Sequence, residues 1–348
     1  MPLIQSRWWR ISEGNTLEPI GQRVRARLRQ LRPATHRGYT AKGDTPVKRT
    51  IEWVHANENP KGGIFVSSGD NVSYPEVTGY LIPTLLNINE QDLAIRLTRW
   101  LTHIQREDGS FTSADGAPHV FDTGQALRGL LAASNLMPEA RDAGVRAAMF
   151  LRARMPNGGV RGFEIDAVWL RRYMKSIPLS SHLYVLPALL RAAELFHNPE
   201  WEAAVKQGLA HFMRSTDSLK LNTLTHFLAY ELEALIDLGE SEVALPILNE
   251  LRESQANDGA VRGMPGVSWV CTPGLAQLAV CWYKTGQREP ADRAMNWLER
   301  HQTQSGGFRG SYGEDASYFP DVEISWAAKF YLDASLLRKS IGENLESL

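Results

Sequence analysis

Acids, imidazoles and aromatic rings are gathered in short segments of this chain. They are Tyr74-Pro75-Glu76, His119-Val120-Phe121-Asp122, Glu164-Ile165-Asp166, Ser181-His182, His226, Trp269 and Tyr318 through Glu323. Hydrolysis of a glycosidic bond needs two carboxylates flanking it, and Asp122, Glu164, Asp321 and Glu323 form the pool. Elimination or epimerisation beside a carboxylate needs a base and neutralisation of that carboxylate's charge. His182, His226 and Tyr318 are candidate bases. The triplet apolar-Arg-Gly occurs as Val160-Arg161-Gly162, Val261-Arg262-Gly263 and Phe308-Arg309-Gly310. Guanidinium forks match carboxylate geometry, so Arg161, Arg262 and Arg309 are the candidate neutralisers. Tyr74, Glu76, Tyr80, His119, Tyr184, Tyr230 and Tyr312 are further substrate contacts. Trp169, Trp269 and Trp326 could stack on sugar rings or line a prenyl pocket.

Each of these residues also has a structural reading. Asp122 opens Asp-Thr-Gly-Gln and suits a helix N-cap, and Asp321 and Glu323 stand in a similar place. Glu76 follows a proline at a first helical turn, where the helix dipole alone favours an acid. His182 and His226 lie beside apolar runs, as hydrogen-bonded core histidines do. The three arginines could brace turns, and the tryptophans could fill a core.

A repeat supplies the elements that position these groups. Trp100-Leu101, Gln105, Gly109 and Phe111 match Trp297-Leu298, Gln302, Gly306 and Phe308 as W-L-x3-Q-x3-G-x-F. Leu251, Gln255, Gly259 and Val261 follow the same spacing. Weaker copies are Trp53-Val54 with Glu58 and Gly62, and Arg154 with Gly158. A sixth hairpin, around Ser215 to Leu221, has lost the glycines. In each copy an amphipathic helix ends at the Gln, a glycine supplies a positive-φ turn, and a more apolar helix follows. The pattern predicts outer helices near 45–57, 90–105, 138–154, 199–215, 241–255 and 289–302. Inner helices begin near Tyr74, Phe121, Ser180, Asn222, Cys271 and Val322. Six such hairpins predict an all-α (α/α)6 toroid in which the inner-helix N-termini share one rim.

The Q-x3-G-x-F turn before an apolar helix resembles the repeat of terpenoid cyclases and protein prenyltransferase β-subunits, whose α/α barrels are related to those of many polysaccharide lyases, epimerases and glycosidases. The blocks SYPEVTGYLIPTLL, VFDTGQALRGLL and YFPDVEISWAAKFYLDA also resemble toroid proteins encoded among bacterial surface-polysaccharide genes. The first resemblance implies fold; the second implies an enzyme of polysaccharide biosynthesis. The expected activity is β-elimination, C5 epimerisation or hydrolysis of an acidic, uronic-acid-containing oligo- or polysaccharide. A terpene cyclase or prenyltransferase would use the aromatics for cation–π contacts. Against it, the D-x-D-D and DDxxD motifs of those families are missing, the nearest match being Asp321-Val322-Glu323. A glycan-binding toroid without catalysis is the third reading.

The 348 residues carry 38 basic and 39 acidic side chains, which gives no argument for a nucleic-acid partner. Cys271 and Cys281 form no CxxC pair, and on one helix they would stand roughly 15 Å apart at about 1.5 Å per residue, too far for a disulfide. Neither a metal nor a cofactor is expected. The start, MPLIQSRWWR, lacks the apolar stretch of a signal peptide, so a cytoplasmic protein is expected. Residues 1–44 are expected to form a basic helical strap, since Arg23, Arg25, Arg27, Arg29, Arg32 and Arg37 follow Trp8-Trp9. That segment is also the candidate for peripheral contact with the inner membrane. The toroid is assigned to 45–340 and a tail to 341–348.

Overall fold

A computed structural model describes residues 39–112, 116–173, 177–215 and 219–346. The Arg- and Trp-rich segment expected to form a strap falls almost wholly outside these residues. The described chain forms two compact units. The first comprises 59–64 and 73–215, the second 39–58, 65–72 and 219–346.

Paired helices account for most of both units. The first unit holds α2 (Pro75–Asn87), α3 (Gln91–Ile104), α4 (Val120–Ala133), α5 (Pro138–Ala153), α6 (Ala167–Tyr173), α7 (Leu186–Leu195) and α8 (Pro199–Arg214). The second holds α1 (Pro46–Ala56), α9 (Thr225–Asp237), α10 (Ser241–Glu253), α11 (Thr272–Lys284), α12 (Arg288–His301) and α13 (Ser325–Glu346). The expected helix starts and stops fall close to these bounds, and local chemistry explains several of them. Thr45 caps α1, its Oγ1 accepting from Lys48 N–H at 3.2 Å, with Pro46 following. Asn198 caps α8 by accepting from Glu200 and Trp201 N–H, both at 3.1 Å. A side-chain acceptor takes up amides that have no partner in the helix, and the proline gives up none.

Amphipathic and buried helices alternate as the repeat predicts. In α10 three of thirteen residues are buried, in α11 twelve of thirteen. Within the first unit the buried helices α2 and α4 run side by side in the same direction. Tyr74 meets Asp122 at their N-terminal ends, and Gly79 meets Ala126 further along. A Cβ on Gly79 would stand 2.5 Å from Ala126 Cα, so only glycine allows this approach.

The repeat motif itself is a three-part clamp. Gln105 Nε2 donates to Gly109 O at 3.0 Å and to Ala143 O of α5 at 2.9 Å, while its Oε1 accepts from Arg146 at 2.6 Å. Gln255 repeats this with Gly259, Pro290 and Arg293, and Gln302 with Gly306, Pro46 and Arg49. The helix carbonyl and the arginine are three residues apart each time. Gly109, Gly259 and Gly306 have φ near +90°, and a Cβ on any of them would lie 2.1–2.2 Å from the carbonyl oxygen of that arginine. In the second unit it is the first described helix, α1, that completes the last copy.

Three features depart from the expected outline. Between α5 and α7 the chain adds α6 and a 3-10 helix, Leu179–Val185, in place of one helix from Ser180. Pro187, which has no N–H to donate, fixes the start of the α-helix proper near Leu186. A two-residue ladder, β1 (Val270–Cys271) with β2 (Ser311–Tyr312), pairs Val270 with Tyr312 and Cys271 with Ser311. Helix α13 continues to Glu346, past the expected boundary at 340.

Candidate active site

Asp122 lies in the first turn of α4 and is 3 % exposed. It is not the N-cap of the helix: His119 holds that position and makes no side-chain capping bond. Instead Asp122 Oδ2 accepts from the Tyr74 hydroxyl at 3.0 Å and stands 3.5 Å from His119 Nδ1. Glu76, also buried, occupies the first turn of the neighbouring α2. Two carboxyl groups thus sit in the opening turns of two parallel helices in contact. Tyr74 and Phe121 are half-buried and face solvent beside them.

His182, presented by the 3-10 helix, belongs to the same unit. Its ring meets Trp169 edge-on at 4.8 Å and Phe121 at 6.1 Å. Its Nδ1 lies 3.0 Å from Leu179 O, and its buried Nε2 has no hydrogen-bond partner among the described residues. Burial pushes the imidazole down to about 4; the Leu179 carbonyl opposes this and nearby His119 adds to it. His226 is matched in the second unit: burial pushes it down to about 3, Gln277 opposing and Lys329 adding. It is surrounded by Tyr230 at 4.5 Å, Phe330 at 5.8 Å, and Tyr318 and Trp326 at 6.2 Å. Next to Tyr318, Phe319 takes a left-handed φ of 49°, its carbonyl held by Gly310 N–H at 3.0 Å. Both imidazoles are therefore neutral, and both are weak bases at neutral pH.

Several other candidates take structural parts. Glu323 accepts from Trp53 Nε1 at 2.7 Å, from Thr303 Oγ1 at 2.6 Å and from Ser305 Oγ. It ties the last Gly turn to α1 and neither caps α13 nor stands as a free acid. Tyr312 donates to His301 O at 2.7 Å and accepts from Arg309 N–H at 3.1 Å. Tyr80 is wholly buried, as is Tyr184, over whose ring Arg128 lies at 4.2 Å. Trp269 packs beneath Gly263 and Gly313, where any Cβ would collide with it. Tyr230, Trp169 and Trp326 are buried against histidines. Glu164 and Asp321 are exposed, and Asp166 caps α6 through Val168 N–H at 2.7 Å.

Arg161, Arg262 and Arg309 are all exposed, and their guanidinium groups form no hydrogen bond or ion pair with the described residues. Bracing of the turns falls instead to Arg49, Arg146 and Arg293. One titrating group went unsuspected in the sequence. Asp70, buried in a Ser-Gly-Asp turn, is pushed up to about 7 by burial, although Ser67 N–H and Oγ donate to its Oδ2 at 2.8 and 2.9 Å. Its only sequence signal was a turn. Cys271 and Cys281 are free and buried, and burial lifts the Cys271 thiol to about 12. Among the described residues no three His, Cys, Asp or Glu side chains gather as metal ligands, and no helix is long and apolar enough to cross a membrane.

No family model matches the chain, and no curated protein sequence matches it. Solved structures do. An alpha-amylase from Clostridium perfringens superposes with a TM-score of 0.65 at 14 % identity, over 85 % of this chain and 99 % of that one. An unsaturated glucuronyl hydrolase specific for heparin gives 0.65 at 16 % identity, over 86 % and 97 %. The unsaturated glucuronyl hydrolase of Bacillus sp. GL1, which degrades glycosaminoglycan, gives 0.64 at 16 %, over 85 % and 95 %. The fold is that of the α/α toroids. At these identities the likeness speaks for the fold class that the repeat predicted and leaves chemistry to the side chains.

Proposed function

We propose that this chain is a carbohydrate-active enzyme that hydrolyses an acidic, uronic-acid-containing oligo- or polysaccharide. The observation that carries the reading is the carboxyl pair Asp122 and Glu76 in adjoining first turns, with Tyr74 and His119 on Asp122. Hydrolysis needs two carboxyl groups in different protonation states. Elimination and epimerisation lose two of their three candidate bases, since His182 and His226 are held far below the pH at which a base works well, and only Tyr318 remains for them. The exposed arginines, Arg161 above all in the unit of the pair, would meet a uronate. The amylase and glucuronyl hydrolase neighbours favour glycoside hydrolysis, and the resemblance to toroids of surface-polysaccharide genes favours tailoring of a polymer in the cytoplasm. Glu164 and Asp321 remain as exposed carboxylates that could contact substrate.

The test is incubation with hyaluronan, chondroitin, heparin and alginate oligosaccharides, followed by reducing-end release, ultraviolet absorbance and deuterium uptake at C5. Release of reducing ends without the other two signals is expected. Asp122→Asn and Glu76→Gln should each lower the rate by about 10²- to 10⁴-fold, the usual share of general acid–base catalysis. Deuterium uptake or new absorbance without hydrolysis would refute this reading.

A further inference from the structure

The imidazole of His182 is fixed in one protonation pattern by its surroundings. Nδ1 lies 3.0 Å from Leu179 O. A carbonyl oxygen can only accept, so Nδ1 carries the proton and Nε2 keeps a bare lone pair. That nitrogen is buried in a residue 1 % exposed, and no donor among the described residues reaches it. A buried acceptor without a donor is costly, and because nothing outside touches this atom in the structure, a donor reaches it only as neighbouring side chains part. The surroundings indicate what kind of donor. Trp169 and Phe121 wall the ring with apolar surface, and Phe121 is half-buried next to Asp122.

We propose that His182 is a substrate-recognition residue whose Nε2 accepts a hydrogen bond from a sugar hydroxyl, bounded by the Trp169 and Phe121 rings in the site of Asp122. This rests on the reading of the chain as a glycan hydrolase and refines it. A neutral imidazole presenting a lone pair repels a carboxylate and welcomes an O–H. The uronate charge therefore lies elsewhere on the substrate, and His182 reads a ring hydroxyl. The imidazole stays uncharged because burial holds it near 4, so this selectivity persists across neutral pH. Selection of this kind is steep: a site built to pair with a hydroxyl rejects the deoxy analogue, because the acceptor is then left bare.

Nitrogen-15 spectra of the histidine side chains provide the test, recorded on the whole chain with and without hyaluronan, chondroitin and heparin tetrasaccharides. The free protein should show His182 as the Nδ1–H tautomer with an unbonded Nε2, and Nε2 should move upfield when a tetrasaccharide saturates the site. His182→Leu should weaken binding by about tenfold or more, while His182→Gln, which keeps an acceptor, should recover part of the loss and controls for folding. The proposal is overturned by an Nε2–H tautomer, by an Nε2 already hydrogen-bonded in the free protein, or by binding that leaves both resonance and affinity unchanged. Turnover that needs Asp122 but ignores His182 overturns this proposal alone. Neither binding nor turnover of any tetrasaccharide overturns the hydrolase reading with it.

Discussion

Asp122 and Glu323 show how little an acid's position before a helix says about its work. Both looked like caps or catalysts, and neither holds an N-cap position. Glu323 gathers three donors, so removing it takes the acceptor from the indole N–H of Trp53 and leaves the Thr303 and Ser305 hydroxyls only each other and Gly307 O. Glu323→Ala should cost about 2–3 kcal/mol in urea unfolding, the scale of lost hydrogen bonds to a charged group. Asp70 makes the opposite prediction. Its carboxyl binds a proton more readily folded than unfolded, so its contribution to stability is full below about pH 4 and is lost as pH rises through about 7. About three pKa units correspond to roughly 4 kcal/mol. His182 and His226 work the other way, because unfolding lets each bind a proton, and their stability is lost as pH falls below about 6.5. Between pH 4.5 and 6 the two histidines therefore outweigh the one aspartate. Asp70→Asn should steepen the rise of stability with pH in that window and raise stability above pH 7. An unaltered pH profile in urea midpoints would remove Asp70 from this account. None of the three shifts was legible in sequence, because each is set by burial among residues distant in the chain.

At the scale of elements, much more was readable. A glutamine four residues before a glycine gave helix ends close to those of α3, α10 and α12, because the motif encodes its own clamp. What the motif does not display is the partner: the arginine that fills Gln302 Oε1 is Arg49, 253 positions away. Hence the apolar-Arg-Gly triplets drew attention while the bracing arginines went unremarked. The ladder of β1 and β2 was missed because two residues per strand leave no alternation to detect. The clamp predicts a graded response among glycines. Gly306→Ala would drive a methyl into the Arg49 carbonyl at a positive φ and should cost more than about 3 kcal/mol. Gly239→Ala also has a positive φ, but nothing stands within 4 Å, so it should cost only about 1 kcal/mol. Equal losses in thermal denaturation would mean that the turn conformation matters and the backbone contact does not.

For the whole molecule, periodicity revealed the fold class and left the reaction to be argued. The repeat said that helix starts carry the chemistry, and in the first unit it brought Tyr74, Glu76, His119 and Asp122 together. It could not say which aromatic rings end up wholly covered, since Tyr80 and Tyr184 look no different in sequence from the half-buried Tyr74. The clamp on Gln302 also bears on how the chain is made. The first unit is almost one uninterrupted stretch, 73–215, and can close while the rest is still being synthesised. Helix α1 precedes that stretch in the chain, yet Gln302, which its Pro46 carbonyl binds, comes 256 positions after Pro46. Pulsed hydrogen exchange during refolding should find α1 amides protected together with α12 and after α4. During synthesis this amphipathic segment therefore waits for some 256 further residues before its partner exists, a natural client for a chaperone at the ribosome exit.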